Sequence, residues 1–493
     1  MNKSIVPHSP VARRDGMTRV IVAAVAAVAA GLVLYQLSRP GLLFGQSEYD
    51  DAVYFGSSVR LVHGAIPYRD FVLVQPPGLE LLASPVALLS RLIGTRDALA
   101  VLRLCMPFVA AANVVFVGTL VSHRGRLATL VAAGLMAVFP AEVNATHTVL
   151  LEPLLDVFCL LGAVLVFDGE AFAGGLRLLA GGAAFGFAGT VKAWALIPVL
   201  VIAVVCLPVI RRRLVPFIGG VAAGFAVPTL PFFIAAPGAF YHDVVALQLS
   251  RIAAPSRVGL SARLADLMGT TTIAGGALAI AVVVGLVVLV VAGFAVSHRR
   301  PTSVEWFAIG SAVAVSVLLL APAQFYAHYA AFFAPFLAIV VGLAFGRLVG
   351  RHPSRAMLAF AAVVLTVLAA NQVRSVSAES SRDRSLAVDA IIPAGGCALA
   401  DSAADLITTD RFVSARPGCP TIADAYGTRV AYGGTTAAAA DVWRRAFAQA
   451  DYVVVYSLYN TRIPIDAHLR FDLSHQFHLV RAAGLLIFVR NGA

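Results

Sequence analysis

From Val20 to Ala370 the sequence passes through one long apolar segment after another, with short polar stretches between them. A water-soluble domain does not carry apolar segments of this length and number, so the chain is expected to cross a bilayer repeatedly. Hydropathy separates eleven segments: Val20–Leu37, Ala98–Val121, Leu127–Pro140, Leu150–Phe167, Leu178–Val191, Ala193–Ile210, Leu214–Ala235, Thr271–Val296, Val304–Ala321, Ala330–Leu348 and Ala356–Ala370. Composition agrees, with 59% of 493 residues hydrophobic and a mean hydropathy of +0.86.

The polar stretches are of two kinds. His123-Arg124-Gly125-Arg126, Arg211-Arg212-Arg213, Ser297-His298-Arg299-Arg300 and Arg351-His352-Pro353-Ser354-Arg355 are basic. Basic loops stay on the cytoplasmic side. With Arg13, Arg14 and Arg19 also inside, eleven spans put every arginine-rich loop but the acidic ones on one face and everything after Ala370 on the other. The net charge of +11 is thus a record of topology and does not point to nucleic acid. The expectation is a multi-pass protein of the inner or plasma membrane, with a cytoplasmic N-terminus and membrane lipids around it.

Residues 371–493 differ in kind. Cys397–Asp401 and Asp451–Tyr456 read as buried strands, Ala437–Ala448 as a helix and Phe477–Val489 as a hairpin around Gly484. The expected architecture is therefore a polytopic α-helical membrane domain over 1–370 and a small extracytoplasmic α/β domain over 371–493. On that side thiols oxidise, and Cys397 and Cys419 are expected to form a disulfide.

Chemistry concentrates in the loop after the first segment. Glu48, Asp50 and Asp51 stand at a membrane boundary, where carboxylates are costly. One structural reading suits them: Asp50 or Asp51 at the start of a helix. Ala52, Phe55, Val59 and Val62 then recur at helical spacing, which predicts a short amphipathic helix lying in the interface. Gly64, Pro67 and Pro76-Pro77-Gly78 follow and favour irregular, extended chain. Leu79–Ile93, broken by Pro85 and Arg91, reads as a surface or re-entrant helix.

This loop resembles the first external loop of GT-C superfamily glycosyltransferases, of the protein-mannosyltransferase and aminoarabinose-transferase kind. The resemblance rests on Asp50-Asp51-Ala52-Val53-Tyr54, on Gly64-Ala65-Ile66-Pro67-Tyr68-Arg69-Asp70 and on Pro76-Pro77-Gly78. Many relatives carry Asp-Glu where this chain has Asp50-Asp51. The resemblance implies a GT-C-like membrane fold, a polyprenyl-phosphate-linked sugar donor and an inverting displacement. It makes Asp50 the first choice of general base and Asp51 the second. Tyr54, Tyr68, Arg69 and Asp70 become candidates for binding the acceptor, which would be a cell-envelope glycan, glycolipid or protein.

Other residues fit the same chemistry. Lys192, one of two lysines, sits beside Trp194 between apolar segments and is either a snorkelling interface residue or a phosphate contact. Glu152 and Asp156, four residues apart, share a helix face; they are either an ion pair with Arg103 or acceptor ligands. Arg251 and, less directly, Arg257 in the loop over 237–270 could clamp a donor phosphate. His328 and Tyr329 leave the membrane on the external side and could join them. No metal-ligand spacing or nucleotide-binding loop appears, no cofactor is called for, and a divalent cation is left open. A lipid-linked sugar transporter would place charges in broken mid-membrane helices. A non-catalytic assembly factor would not need the carboxylates.

Overall fold

The computed structural model describes residues 16–252, 258–271, 275–321, 324–381, 384–434, 437–459 and 462–492, without the side chains of 209–211, 251, 252, 386 and 437. The chain opens with α1 (Gly16–Leu37), α2 (Tyr49–Val62), α3 (Gly78–Val121), α4 (Arg126–Val138), α5 (Pro140–Thr146) and α6 (Leu151–Val166). A two-residue hairpin, β1 (Phe167–Asp168) and β2 (Ala171–Phe172), leads to α7 (Gly175–Val191), α8 (Leu196–Cys206) and α9 (Val215–Ala235). Three short helices follow: α10 (Pro237–Tyr241), α11 (Leu247–Ile252) and α12 (Leu260–Leu267). Then come α13 (Gly275–Ser297), α14 (Ser303–Leu320), α15 (Ala334–Val349) with a 3-10 entry from Ala327, and α16 (Arg355–Ser377).

Each of the eleven apolar segments is helical, but they are not equal. Seven helices among the described residues are long and apolar enough to cross a membrane, or eight if α4 and α5, bent by 53°, form one span. The helices α6, α7 and α8, with 16, 17 and 11 residues, fall short of the roughly 20 that a bilayer needs. The short helices are packed into the bundle. Gly182 and Gly186 of α7 meet Gly220 and Gly224 of α9 so closely that a Cβ on Gly182 would lie 2.1 Å from the Phe217 carbonyl oxygen. Small residues at such spacing let helix backbones touch inside a membrane.

Two expectations about the loop after α1 are corrected. Leu79–Ile93 is not separate from the next span: α3 contains both and is broken only at Gly94, φ 87°. At that kink the Asp410 carboxylate takes the place a Cβ would occupy and accepts from the Arg96 N–H at 2.9 Å. Nor does α2 lie with one face to water. Every residue from Asp51 to Arg60 is buried, because the tail covers the polar face: Arg60 stacks 4.1 Å from the Phe412 ring centroid, and Phe412 and Ile407 pack over Gly56.

The charged residues at the other end of the bundle are gathered as well. Arg124 and Arg347 both hold Glu305, at 3.0 and 2.5 Å, and Arg124 also meets Glu170 at 3.1 Å. Arg347 further donates to the carbonyls of Arg299 and Arg300.

The tail adds α17 (Ser385–Asp389), β3 (Ala398–Ala400), α18 (Ala403–Ile407), α19 (Ala425–Ala431), α20 (Ala437–Gln449), β4 (Tyr452–Val455), α21 (Ala467–Gln476), β5 (Phe477–Ala482) and β6 (Leu485–Arg490). The sheet order is β3-β4-β6-β5, with β3 and β4 parallel and the other pairs antiparallel. Trp443 and Phe447 of α20 pack against Val453, Val455 and Phe488. Cys397 and Cys419 are joined in a disulfide.

Candidate functional site

The acidic turn begins α2, where helix N-termini favour anions. Asp51 is fully buried; its Oδ2 accepts from Arg103 Nη2 at 2.6 Å and from the Thr148 hydroxyl. Arg103 also donates to the carbonyls of Leu42, Leu43 and Gly45 at 3.0, 2.9 and 2.8 Å. The expected pairing of Arg103 with Glu152 or Asp156 is thus replaced: Arg103 serves Asp51 and pins the chain entering α2. Asp50, one residue earlier, is only partly buried. Tyr54, one turn on, is buried. Glu48 stands at the rim, where desolvation by the surrounding protein, then the charges of Asp51, Asp50 and Glu379, push its carboxyl from 4.5 up to about 7. Tyr49 ties the turn to the tail: its hydroxyl donates to Asp424 at 2.7 Å and accepts from the Tyr426 N–H at 3.0 Å.

A second cluster lies across the segment over 148–152. Glu152, in the first turn of α6, pairs with Lys192 Nζ at 2.6 Å, and both are buried. Lys192 also lies 3.5 Å from the Trp194 ring centroid and 4.0 Å from that of Tyr329, while His328 meets Tyr329 edge-on at 4.9 Å. Lys192 is therefore caged by a carboxylate and two aromatic rings, not snorkelling to an interface. Asp156 is buried one turn along α6, and neither of its oxygens has a hydrogen-bond partner. The nearby Glu142 accepts from Asn113 Nδ2 at 3.0 Å.

The loop over 63–77 returns to this cluster. Tyr68 has φ 68° and is held by its hydroxyl, which donates to the Gln75 carbonyl at 2.7 Å. Asp70 accepts from the Ile66 N–H at 2.7 Å and pairs with Arg69 at 2.8 Å. At the end of the loop, Gly78 abuts Thr190 where any Cβ would clash, which sets the Pro76-Pro77 turn beside Lys192. The backbone of Arg251 ends α11, but its side chain and all of Arg257 lie outside the described residues.

Sequence reasoning missed two cavities. An apolar groove of 690 Å³ runs between α13, α14 and α15 and reaches Leu264, Leu267 and Met268 at α12. A second cavity, of 220 Å³, takes Asp266 and Gly269 from the same segment; its walls are mainly apolar, from Pro140, Ala141, Val143, Ala327 and Val376, with polar groups at Gln36, Asn144, Asp266 and Glu379. Gln36 donates to Glu379 at 2.7 Å, and Glu379 is one of the charges acting on Glu48, which links the cavity electrostatically to the acidic turn. Arg263, buried on α12, donates to the Leu319 and Leu320 carbonyls near the groove's end. Only the polarity of Asp266 beside Leu264 and Leu267 hinted at this junction.

No family model matches the sequence, and no curated protein is significantly similar to it. Solved structures are similar in shape. ArnT from Cupriavidus metallidurans bound to undecaprenyl phosphate matches with a TM-score of 0.58 and 13% identity, over 96% of this chain and 98% of that one. Archaeal oligosaccharyltransferase AglB from Archaeoglobus fulgidus, in complex with an inhibitory peptide and a dolichol-phosphate, matches with a TM-score of 0.54 and 12% identity, over 97% of this chain and 74% of that one. Both are glycosyltransferases of the GT-C fold, and over nearly its whole length this chain has the GT-C fold.

Proposed function

We propose that this chain is a membrane glycosyltransferase that moves a hexosyl or pentosyl group from a polyprenyl-phosphate-linked donor to a cell-envelope glycan, glycolipid or protein on the external face. The observation that carries this reading is the segment at α12, which gives Leu264, Leu267 and Met268 to a 690 Å³ apolar groove and Asp266 and Gly269 to a 220 Å³ cavity that also holds Gln36, Asn144 and Glu379. A polyprenyl-phosphate sugar has the same division: an apolar chain, then a polyhydroxylated sugar that carboxylate and amide acceptors can hold. The undecaprenyl phosphate bound to ArnT and the dolichol-phosphate bound to AglB support the donor class. The junction lies on the face where the basic-loop rule puts the acidic turn and residues 371–493 outside, leaving the membrane domain as 1–370.

In this reading Asp50 is the general base. It removes the acceptor hydroxyl's proton as that oxygen attacks the anomeric carbon, and the phosphate leaves with the bonding electrons. A base must reach its proton. Asp50 is partly exposed, whereas Asp51 is enclosed by Arg103 and Thr148. His328, next to the cavity-lining Ala327, forms the phosphate-binding group with Tyr329 and Lys192. No cofactor enters this reading.

The test is a transfer assay with purified protein in liposomes, offering several radiolabelled polyprenyl-phosphate sugars. At least one should yield free polyprenyl phosphate and labelled acceptor. Ser316→Trp, which fills the groove, should raise the donor KM about tenfold or more while the protein stays folded. Wild-type protein that turns over no donor would sink the proposal.

A further inference from the structure

A third cleft, of 420 Å³, lies away from the groove, where three remote parts of the chain meet. The loop over 63–77 supplies Tyr68, Arg69 and Asp70; the turn after α10 supplies His242 and Asp243; the end of α19 supplies Tyr432. Its volume falls within the roughly 300–1,000 Å³ typical of small-ligand sites.

The polar groups of this cleft are fixed before any ligand arrives. Asp243 is 4% exposed and paired with His242 at 2.9 Å. Asp70 is held by Ile66 N–H and Arg69, and its carbonyl accepts from the Thr421 hydroxyl at 2.9 Å, which fastens the loop to the tail. Tyr68 is wedged edge-on against Phe240 with centroids 4.9 Å apart. Tyr432, 44% exposed, presents a ring at the wall. Such preset geometry lowers the ordering cost of binding.

The chemistry selects one ligand class. Two carboxylates accept hydrogen bonds, Arg69 and His242 donate them, and an aromatic ring offers a face to C–H groups. Two carboxylates repel a polyanion, and polar walls do not suit a lipid chain. A neutral ligand with many hydroxyls and an apolar face, a saccharide, uses all of these groups. Position agrees with this. The seven-residue helix α19 is capped by Asp424, which binds Tyr49 beside Asp50, and ends at the cleft, a reach of about 10 Å at 1.5 Å per residue.

We infer that this cleft seats the saccharide part of the acceptor, so that the tail chooses the acceptor while the membrane bundle holds the donor. The inference rests on the glycosyltransferase reading for the word acceptor, but the cleft's affinity for sugars is measurable without turnover. The probe is a set of free di- to tetrasaccharides released from the cell envelope of the source organism, titrated against detergent-solubilised full-length protein with ligand-observed NMR. At least one should bind. Tyr432→Ala and Ala431→Trp should each weaken it tenfold or more, and Tyr432→Phe should keep most of it, with unchanged thermal unfolding in all three. In the transfer assay Tyr432→Ala should raise the acceptor KM and leave the donor KM alone. No saccharide binding by wild-type protein, equal binding in all variants, or binding of a Ser/Thr-rich peptide in their place would each overturn the inference. Saccharide binding without any donor turnover would instead keep the cleft and remove the glycosyltransferase reading.

Discussion

Asp50 and Asp51 are adjacent in sequence and opposite in setting. Asp51 is buried with Arg103, and breaking a buried pair leaves an uncompensated charge at a cost of about 3–5 kcal/mol. Asp51→Asn should therefore lower the thermal unfolding temperature and the yield of membrane-inserted protein. Asp50→Asn should leave both unchanged and lower transfer by about 10²-fold or more. If at matched protein levels Asp51→Asn alone abolishes transfer without loss of stability, the base is Asp51. Glu48 gives the pH dependence. Its carboxyl rises from 4.5 to about 7 on folding, so between those values the folded protein keeps a proton that the unfolded chain has lost. Its contribution to stability falls as pH rises through that window and is level above it. The charge that appears near pH 7 stands beside Asp50. Glu48→Gln should therefore remove an inflection near pH 7 from the pH–rate profile, and a profile identical to wild type would detach Glu48 from the site.

At the scale of elements, the kink in α3 couples bundle and tail. Gly94 has a backbone conformation that side chains rarely adopt, and the Asp410 carboxylate fills the space beside it. Gly94→Ala should cost about 1–3 kcal/mol from the backbone alone. It should also expel Asp410 from the Arg96 N–H, and protease digestion of the folded protein should then cut the segment over 408–416 faster. Unchanged digestion would mean that the tail is held without this contact. The helix α2 depends on the same docking, since Arg60 and Gly56 meet the tail where an interfacial helix would meet water.

For the whole molecule, the expected topology places residues after Ala370 outside. A periplasmic reporter fused at Gly492 should be active and a cytoplasmic one silent; the reverse would move the acidic turn to the wrong face and remove the site. The seven long apolar helices do not fix this by themselves, because α6, α7 and α8 are shorter than a bilayer. Their crossing depends on neighbours that cover the ends.

The sequence alone determined what depends on local chemistry. Apolar run length marked where the helices of the bundle lie without fixing how many cross, the apolar runs of Cys397–Asp401, Asp451–Tyr456 and Phe477–Val489 marked the tail's strands, and the carboxylates with Pro76-Pro77-Gly78 marked the loop that carries Asp50. Tertiary structure decided what depends on choosing among distant partners. In sequence Arg103 is matched to Glu152 and Asp156, and only the packing of α3 against α2 gave it to Asp51. Lys192 took Glu152 for the same reason. The amphipathic period of α2 could not distinguish water from a polar tail surface as the cover of its polar face. The groove at α12 and the cleft at Tyr432 are spaces between segments tens to hundreds of residues apart, and no periodicity within any one segment encodes them.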